Sequence, residues 1–184
     1  MENRAVVFKQ KASDLDFFVC QSINGLLKHD WVHRFFVVVS RLGDGVLWYA
    51  IILSLPILLP ENGIALAVLM TIVGLCNVYV YKRIKKALAR PRPFMSYPSI
   101  TQGANVLDEY SFPSGHTLHA VTFSIILVAY NPLLAVCLVP FAILTAMSRV
   151  VLGVHFPSDV IVGALIGVIH GWIALVILGW MQIL

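Results

Sequence analysis

The chain has 184 residues, of which 59% are apolar and only 12% are charged. That length is one domain, residues 1–184, and that balance lies outside the range of soluble globular domains. The net charge of +4 suits anionic lipid headgroups or an anionic substrate and does not choose between them. No nucleic-acid partner is expected, and the oligomeric state stays open.

The charges avoid three stretches. No Asp, Glu, Lys or Arg occurs from Asn62 to Tyr81, from Ser111 to Ser148, or from Val160 to Leu184. Charge-free runs of about 20 residues mark bilayer spans, so the chain reads as an integral membrane protein. The N-terminal "MENRAVVFKQKASDLD" is charged and lacks the apolar core and small-residue cleavage site of a signal peptide, so no cleaved leader is expected. Cys20, Cys76 and Cys137 have neither metal nor disulfide spacing and read as small apolar fillers.

In chain order, residues 14–28 place Leu15, Phe18, Val19, Ile23, Leu26 and Leu27 at mostly helical spacing, the pattern of an interfacial amphipathic helix. Arg34, Arg41 and Asp44 then confine the first deep span to Gly45 through Leu59. The second runs from Gly63 to Tyr81 and meets the basic cluster "YKRIKKALARPRP". A polar, Pro-rich loop leads to the third, from Thr117 to Tyr130, which turns at Asn131-Pro132 into a fourth ending near Met147. The fifth covers Ser158 to Trp180 and carries Gly163, Gly167 and Gly171 on one stripe, read as packing within the monomer. The expected fold is all-α: a polytopic membrane helix bundle of about five spans plus an N-terminal interfacial amphipathic helix. Counting crossings puts residues 82–114 and 149–157 on one face.

Three blocks on that face carry chemistry. In "SRVVLGVHFPSD", Pro157 suits the first turn of a helix, which places Asp159 four residues after His155. A carboxylate there can hold one imidazole nitrogen and leave the other free to attack. In "FPSGHTLHA", Ser114 is a plausible N-cap, Gly115 lets backbone approach a ligand, and the helix start makes an anion site with His116 at its mouth. In "KKALARPRP", Pro93 ends the helical pattern and leaves Lys85 and Arg92 at the membrane boundary. With Arg149 these supply cations for phosphate oxygens, a nucleophilic imidazole and an acidic one: the set for phosphoryl transfer. No cluster of carboxylates lies on this face to hold Mg²⁺, so metal-free chemistry without a cofactor is expected. His119 and His170 read as packed polar residues, Arg90 as a contact to lipid phosphates, and Asp108 and Glu109 as solvated loop charges.

The three blocks resemble the signature of the type 2 phosphatidic acid phosphatase (PAP2) superfamily: K-x6-RP, PSGH and SR-x5-H-x3-D. Here they read Lys85 to Arg92-Pro93, Pro113 to His116, and Ser148-Arg149 to His155 and Asp159, within residues 85–93, 113–116 and 148–159. The resemblance implies that His155 forms a phosphohistidine oriented by Asp159, that His116 protonates the leaving group, and that Lys85, Arg92, Ser114, Gly115 and Arg149 hold the phosphate. It implies a lipid phosphate substrate: undecaprenyl pyrophosphate, phosphatidylglycerol phosphate, phosphatidic acid or lipid A phosphate. A phosphotransferase using the same site and a non-catalytic lipid-phosphate binder or transporter are the alternatives. All 13 Lys and Arg count to the site's face, which the positive-inside rule places in the cytoplasm. The resemblance implies the periplasmic or exterior side of a bacterial cytoplasmic membrane. Since Lys85, Arg92 and Arg149 have a chemical reason to be there, the latter is the expectation adopted.

Overall fold

The computed structural model describes residues 4–106 and 108–183, with side chains described from residue 13 onward. Among these every regular element is a helix. Helix α1 (Arg4–Asn24) and a 3-10 turn (Gly25–Lys28) precede α2 (Asp30–Arg41), which passes through one π-helical turn (Leu42–Val46) into α3 (Leu47–Leu58). Then follow α4 (Gly63–Leu88), the short α5 (Pro93–Ser96), α6 (Gly115–Tyr130), α7 (Ala135–Val151) and α8 (Pro157–Trp180).

Four stretches are long and apolar enough to cross a membrane: Asp30–Leu58, Gly63–Ser96, Pro132–Val151 and Pro157–Trp180. The expected third span differs. Helix α6 has 16 residues, about 24 Å at helical rise, which is short of a hydrocarbon layer of about 30 Å. It is the helix against which α8, α7 and α4 pack, so much of its surface meets protein rather than lipid. Ala120, Phe123, Ile126 and Leu127 of α6 are buried in one core with Trp48, Leu66, Met70, Ala174 and Leu178. Large apolar side chains such as Leu53, Ile64, Leu75, Val136, Leu165 and Trp172 are exposed on the outside, as a lipid solvent demands.

Two boundaries move. The first span begins before Gly45, because α2 continues through the π turn into α3; Arg34 and Arg41 point outward while Asp44 reaches α6. The amphipathic helix begins at Arg4 and ends at Asn24. Its protein-facing stripe is Asp16, Cys20 and Asn24, whereas Leu15 and Phe18 stay exposed. Polar groups face inward because they satisfy loop backbone: Asn24 Nδ2 donates to the Thr101 and Val151 carbonyls at 2.9 Å each, and its Oδ1 accepts from the Thr101 N–H at 2.8 Å. Cys20 is buried as expected of a filler, and Cys76 and Cys137 lie on the outer surface.

The glycine stripe of α8 packs within the monomer, as its spacing predicts. A Cβ on Gly163 would lie 2.5 Å from the Ser114 carbonyl oxygen, and one on Gly167 2.7 Å from that of Leu118. Backbone against backbone cannot yield cheaply. Gly167→Leu is therefore expected to melt well below wild type in detergent, by about 1–3 kcal/mol of stability. Gly179→Leu, where nothing lies within 4 Å of the added carbon, should melt as wild type.

Candidate active site

All three blocks meet where α4, α6 and α7 present the ends named above and α8 begins. Helix α4 stops at Leu88 with Ala89 in the left-handed region (φ 44°), four residues before Pro93, which instead opens α5. This early stop swings Arg90 and Arg92 back toward the start of α8. Ser114 caps α6, its Oγ accepting from the Thr117 N–H at 3.4 Å, and Pro157 sits in the first turn of α8.

His155, in the turn between α7 and α8, is 2% exposed. Its Nδ1 lies 3.5 Å from Asp159 Oδ2, and its Nε2 lies 3.4 Å from Arg92 Nη1. A guanidinium only donates, so Nε2 carries the lone pair and Nδ1 the proton. Burial, and then the charges of Arg149, Arg92 and Lys85, hold this imidazole well below the ordinary histidine range. It is neutral at pH 7, the state a nitrogen nucleophile requires.

Asp159 is fully buried and doubly held. Its Oδ2 accepts from the Phe156 N–H at 2.8 Å, and its Oδ1 from Arg90 Nη1 at 2.6 Å. Arg90 also donates to Ser158 Oγ at 2.7 Å and to Asp16 Oδ2 at 2.7 Å, and lies 4.2 Å above the Phe156 ring. The residue read as a lipid contact thus ties α1 to the carboxylate behind His155. Its signal was the repeated "RPRP", in which one arginine belongs to the signature and the other does not.

The cations are enclosed: Lys85, Arg92 and Arg149 are 4%, 2% and 3% exposed. Asp108 Oδ1 accepts from Lys85 Nζ at 2.8 Å and from Arg92 Nη2 at 2.6 Å. Lys85 also donates to the Tyr110 carbonyl at 2.6 Å, and Arg92 Nη1 to that of Val154 at 2.7 Å. Arg149 donates to Ser40 Oγ, and its Nε is buried without a partner. Asp108 is thus no solvated loop charge; it pairs with two of the three enclosed cations.

Lys85, Arg92, Asp108, Gly115, His116, Arg149 and His155 line one cavity of about 530 Å³. Ser114 and Asp159 lie behind its wall, Ser114 spending its hydroxyl on the α6 cap. His116 Nε2 is hydrogen-bonded to Asp44 of the π turn. The cavity continues between α3 and α4 over Trp48, Ile52, Met70, Leu75 and Val78, a polar end joined to an apolar slot. His170 bonds to Asn77 as a packed polar residue, whereas His119, bonded to the Gly115 carbonyl, also lines the cavity.

The family description "PAP2 superfamily" matches residues 62–182, which contain all three blocks. The chain belongs to the PAP2 superfamily. An undecaprenyl-diphosphatase of Bacillus subtilis is 32% identical over 102 residues, 55% of this chain and 52% of that protein. A decaprenylphosphoryl-5-phosphoribose phosphatase of Mycobacterium tuberculosis is 37% identical over 89 residues, 48% of each. The matches thus span about half the length of these curated relatives. The crystal structure of Aquifex aeolicus LpxE superposes with a TM-score of 0.77 at 28% identity, covering 88% of this PAP2 chain and 94% of that one.

Asp108 competes with any anion for Lys85 and Arg92. Asp108→Asn removes the competitor, so inorganic phosphate should bind about threefold to tenfold more tightly at low salt, read by calorimetry. The same variant leaves two buried cations without a carboxylate, so its ligand-free form should melt lower and recover with phosphate.

Proposed function

We propose that this PAP2 protein is a membrane lipid phosphatase that works through a phosphohistidine at His155. The observation that carries this is one cavity holding both a neutral, cation-flanked imidazole and an apolar slot between α3 and α4. The slot suits a lipid tail and the polar end its phosphate. His155 Nε2 attacks phosphorus while Asp159, braced by Arg90, keeps the proton on Nδ1. Lys85, Arg92, Arg149 and the N–H groups at the start of α6 take the charge of the transferring group. His116 gives the leaving oxygen a proton, and water then opens the phosphohistidine.

The cations do the neutralising that Mg²⁺ does elsewhere. Among the described residues, no three His, Cys, Asp or Glu side chains come together as a metal site. Metal-free chemistry is the reading these side chains support. The proposed setting is a bacterial cytoplasmic membrane with the site toward the periplasm or exterior. Arg90 joins Lys85, Arg92 and Arg149 as a cation with a structural reason to lie on this face, which further reduces the positive-inside bias.

Purified protein in detergent is expected to release phosphate from lipid phosphates in the presence of EDTA, and His155→Ala to release none above background. Release abolished by EDTA would sink the metal-free route. Transfer of the phosphoryl group to added lipid instead of water would identify the phosphotransferase.

Arg90 acts through Asp159 and is not among the residues lining the cavity. Arg90→Ala should lower kcat by about tenfold to a hundredfold with KM within about twofold. Arg90→Lys should restore part of the rate, and Asp16→Asn should fall between.

A further inference from the structure

Outside the three blocks, the π turn at Leu42–Val46 carries a carboxylate into the cavity wall, and its backbone is built for that purpose. Gly45 has φ +116°, a conformation L side chains rarely adopt. A Cβ on Gly43 would lie 3.2 Å from Thr145 Cγ2 and 3.6 Å from His116 Cδ2. The two glycines let the helix break open for one turn and set Asp44 against His116 Nε2. An acidic side chain in an apolar span is costly and marks function.

We infer that Asp44 and His116 form a general-acid pair whose position selects lipid phosphomonoesters over lipid diphosphates, an inference that rests on the lipid phosphatase reading above. With Nε2 on Asp44, Nδ1 is the nitrogen left to meet substrate. In the first step the His155 Nε2 lone pair forms the N–P bond as the bond from phosphorus to the lipid oxygen breaks. The bonding pair stays on that oxygen, which takes the proton from His116 Nδ1. In the second, water attacks phosphorus, its proton passes to His116, and the N–P bond returns its pair to His155.

The two leaving groups make unequal demands on that proton. A monoester expels a lipid alkoxide, strongly basic and a poor leaving group until protonated. A diphosphate expels a lipid phosphate, already a stable anion, which gains little from an acid. It would also depart beside the Asp44 carboxylate, a like charge that disfavours it. The cations acting on Asp44 are His116 when protonated, Arg149 of α7 and Arg41 at the end of α2. Arg149 is buried and bonded to Ser40, and Arg41 is exposed. Burial pushes the His116 imidazole down to about 4, and the Asp44 carboxylate bonded to Nε2 works against that, favouring the protonated ring as the leaving oxygen develops charge.

The test compares dioctanoyl phosphatidic acid, a monoester, with farnesyl diphosphate in one detergent, reading phosphate release by wild type, Asp44→Asn and His116→Ala. Wild type is expected to favour the monoester by at least about tenfold in kcat/KM, and Asp44→Asn to cut that ratio by at least about tenfold. His116→Ala should cut it as far, and the double variant no further, because the two act as one unit. Asp44→Glu should recover part of the ratio. A wild-type preference for the diphosphate would overturn the inference, as would a ratio in Asp44→Asn within threefold of wild type. Either outcome would leave the phosphatase reading standing. Release from neither substrate by wild type would overturn that reading and this one with it. The wild-type preference needs no variant, so the inference stays testable should Asp44→Asn fail to fold.

Discussion

Everything at the polar end of this bundle depends on holding like charges together out of water. Lys85, Arg92 and Arg149 are almost completely enclosed, and a buried cation is costly unless paired and hydrogen-bonded. The chain supplies partners from separate places in sequence: Asp108 and Tyr110 from the loop after α5, Val154 from the turn after α7, and Ser40 from α2. Burial first, and then the field of these three cations, keeps His155 neutral. In the proposed mechanism one arrangement both binds an anion and readies the nucleophile that attacks it.

A second layer of acids governs the two imidazoles. Asp159 stands behind His155 and Asp44 beside His116, so each histidine has its own carboxylate. They are held differently. Asp159 is buried and locked by Arg90, which also secures α1 through Asp16. Asp44 rests on a helical defect permitted by two glycines. The N-terminal helix, outside the matched residues 62–182, is therefore mechanically part of the site.

The three blocks and their common face were legible in the sequence because each uses residues whose chemistry is costly near lipid. Pro157 and Ser114 marked helix starts, and Gly163, Gly167 and Gly171 marked the α6–α8 contact. Charge-free runs located the helices. Their lengths were less legible, since α6 is short but central, and apolar content alone does not separate burial in protein from burial in lipid. Asp44, Asp108, Arg90 and Asp16 were hidden for another reason: each acts through partners 16 to 74 residues away, and single-chain spacing carries no record of such pairings. Arg34 and Arg41 started the first span too late on paper because a charge can point outward from a helix that continues.

The bridge from Asp108 to Lys85 and Arg92 has a consequence for turnover. A carboxylate tethered beside its cations competes at a fixed local concentration whatever is dissolved outside. It weakens every anion that needs both cations by the same factor. In the proposed function a lipid substrate would offset that factor with its tail in the slot between α3 and α4, whereas inorganic phosphate has no tail to do so. On the proposed phosphatase reading, the product would thereby be the ligand most easily displaced, and Asp108 would guard the site against product inhibition.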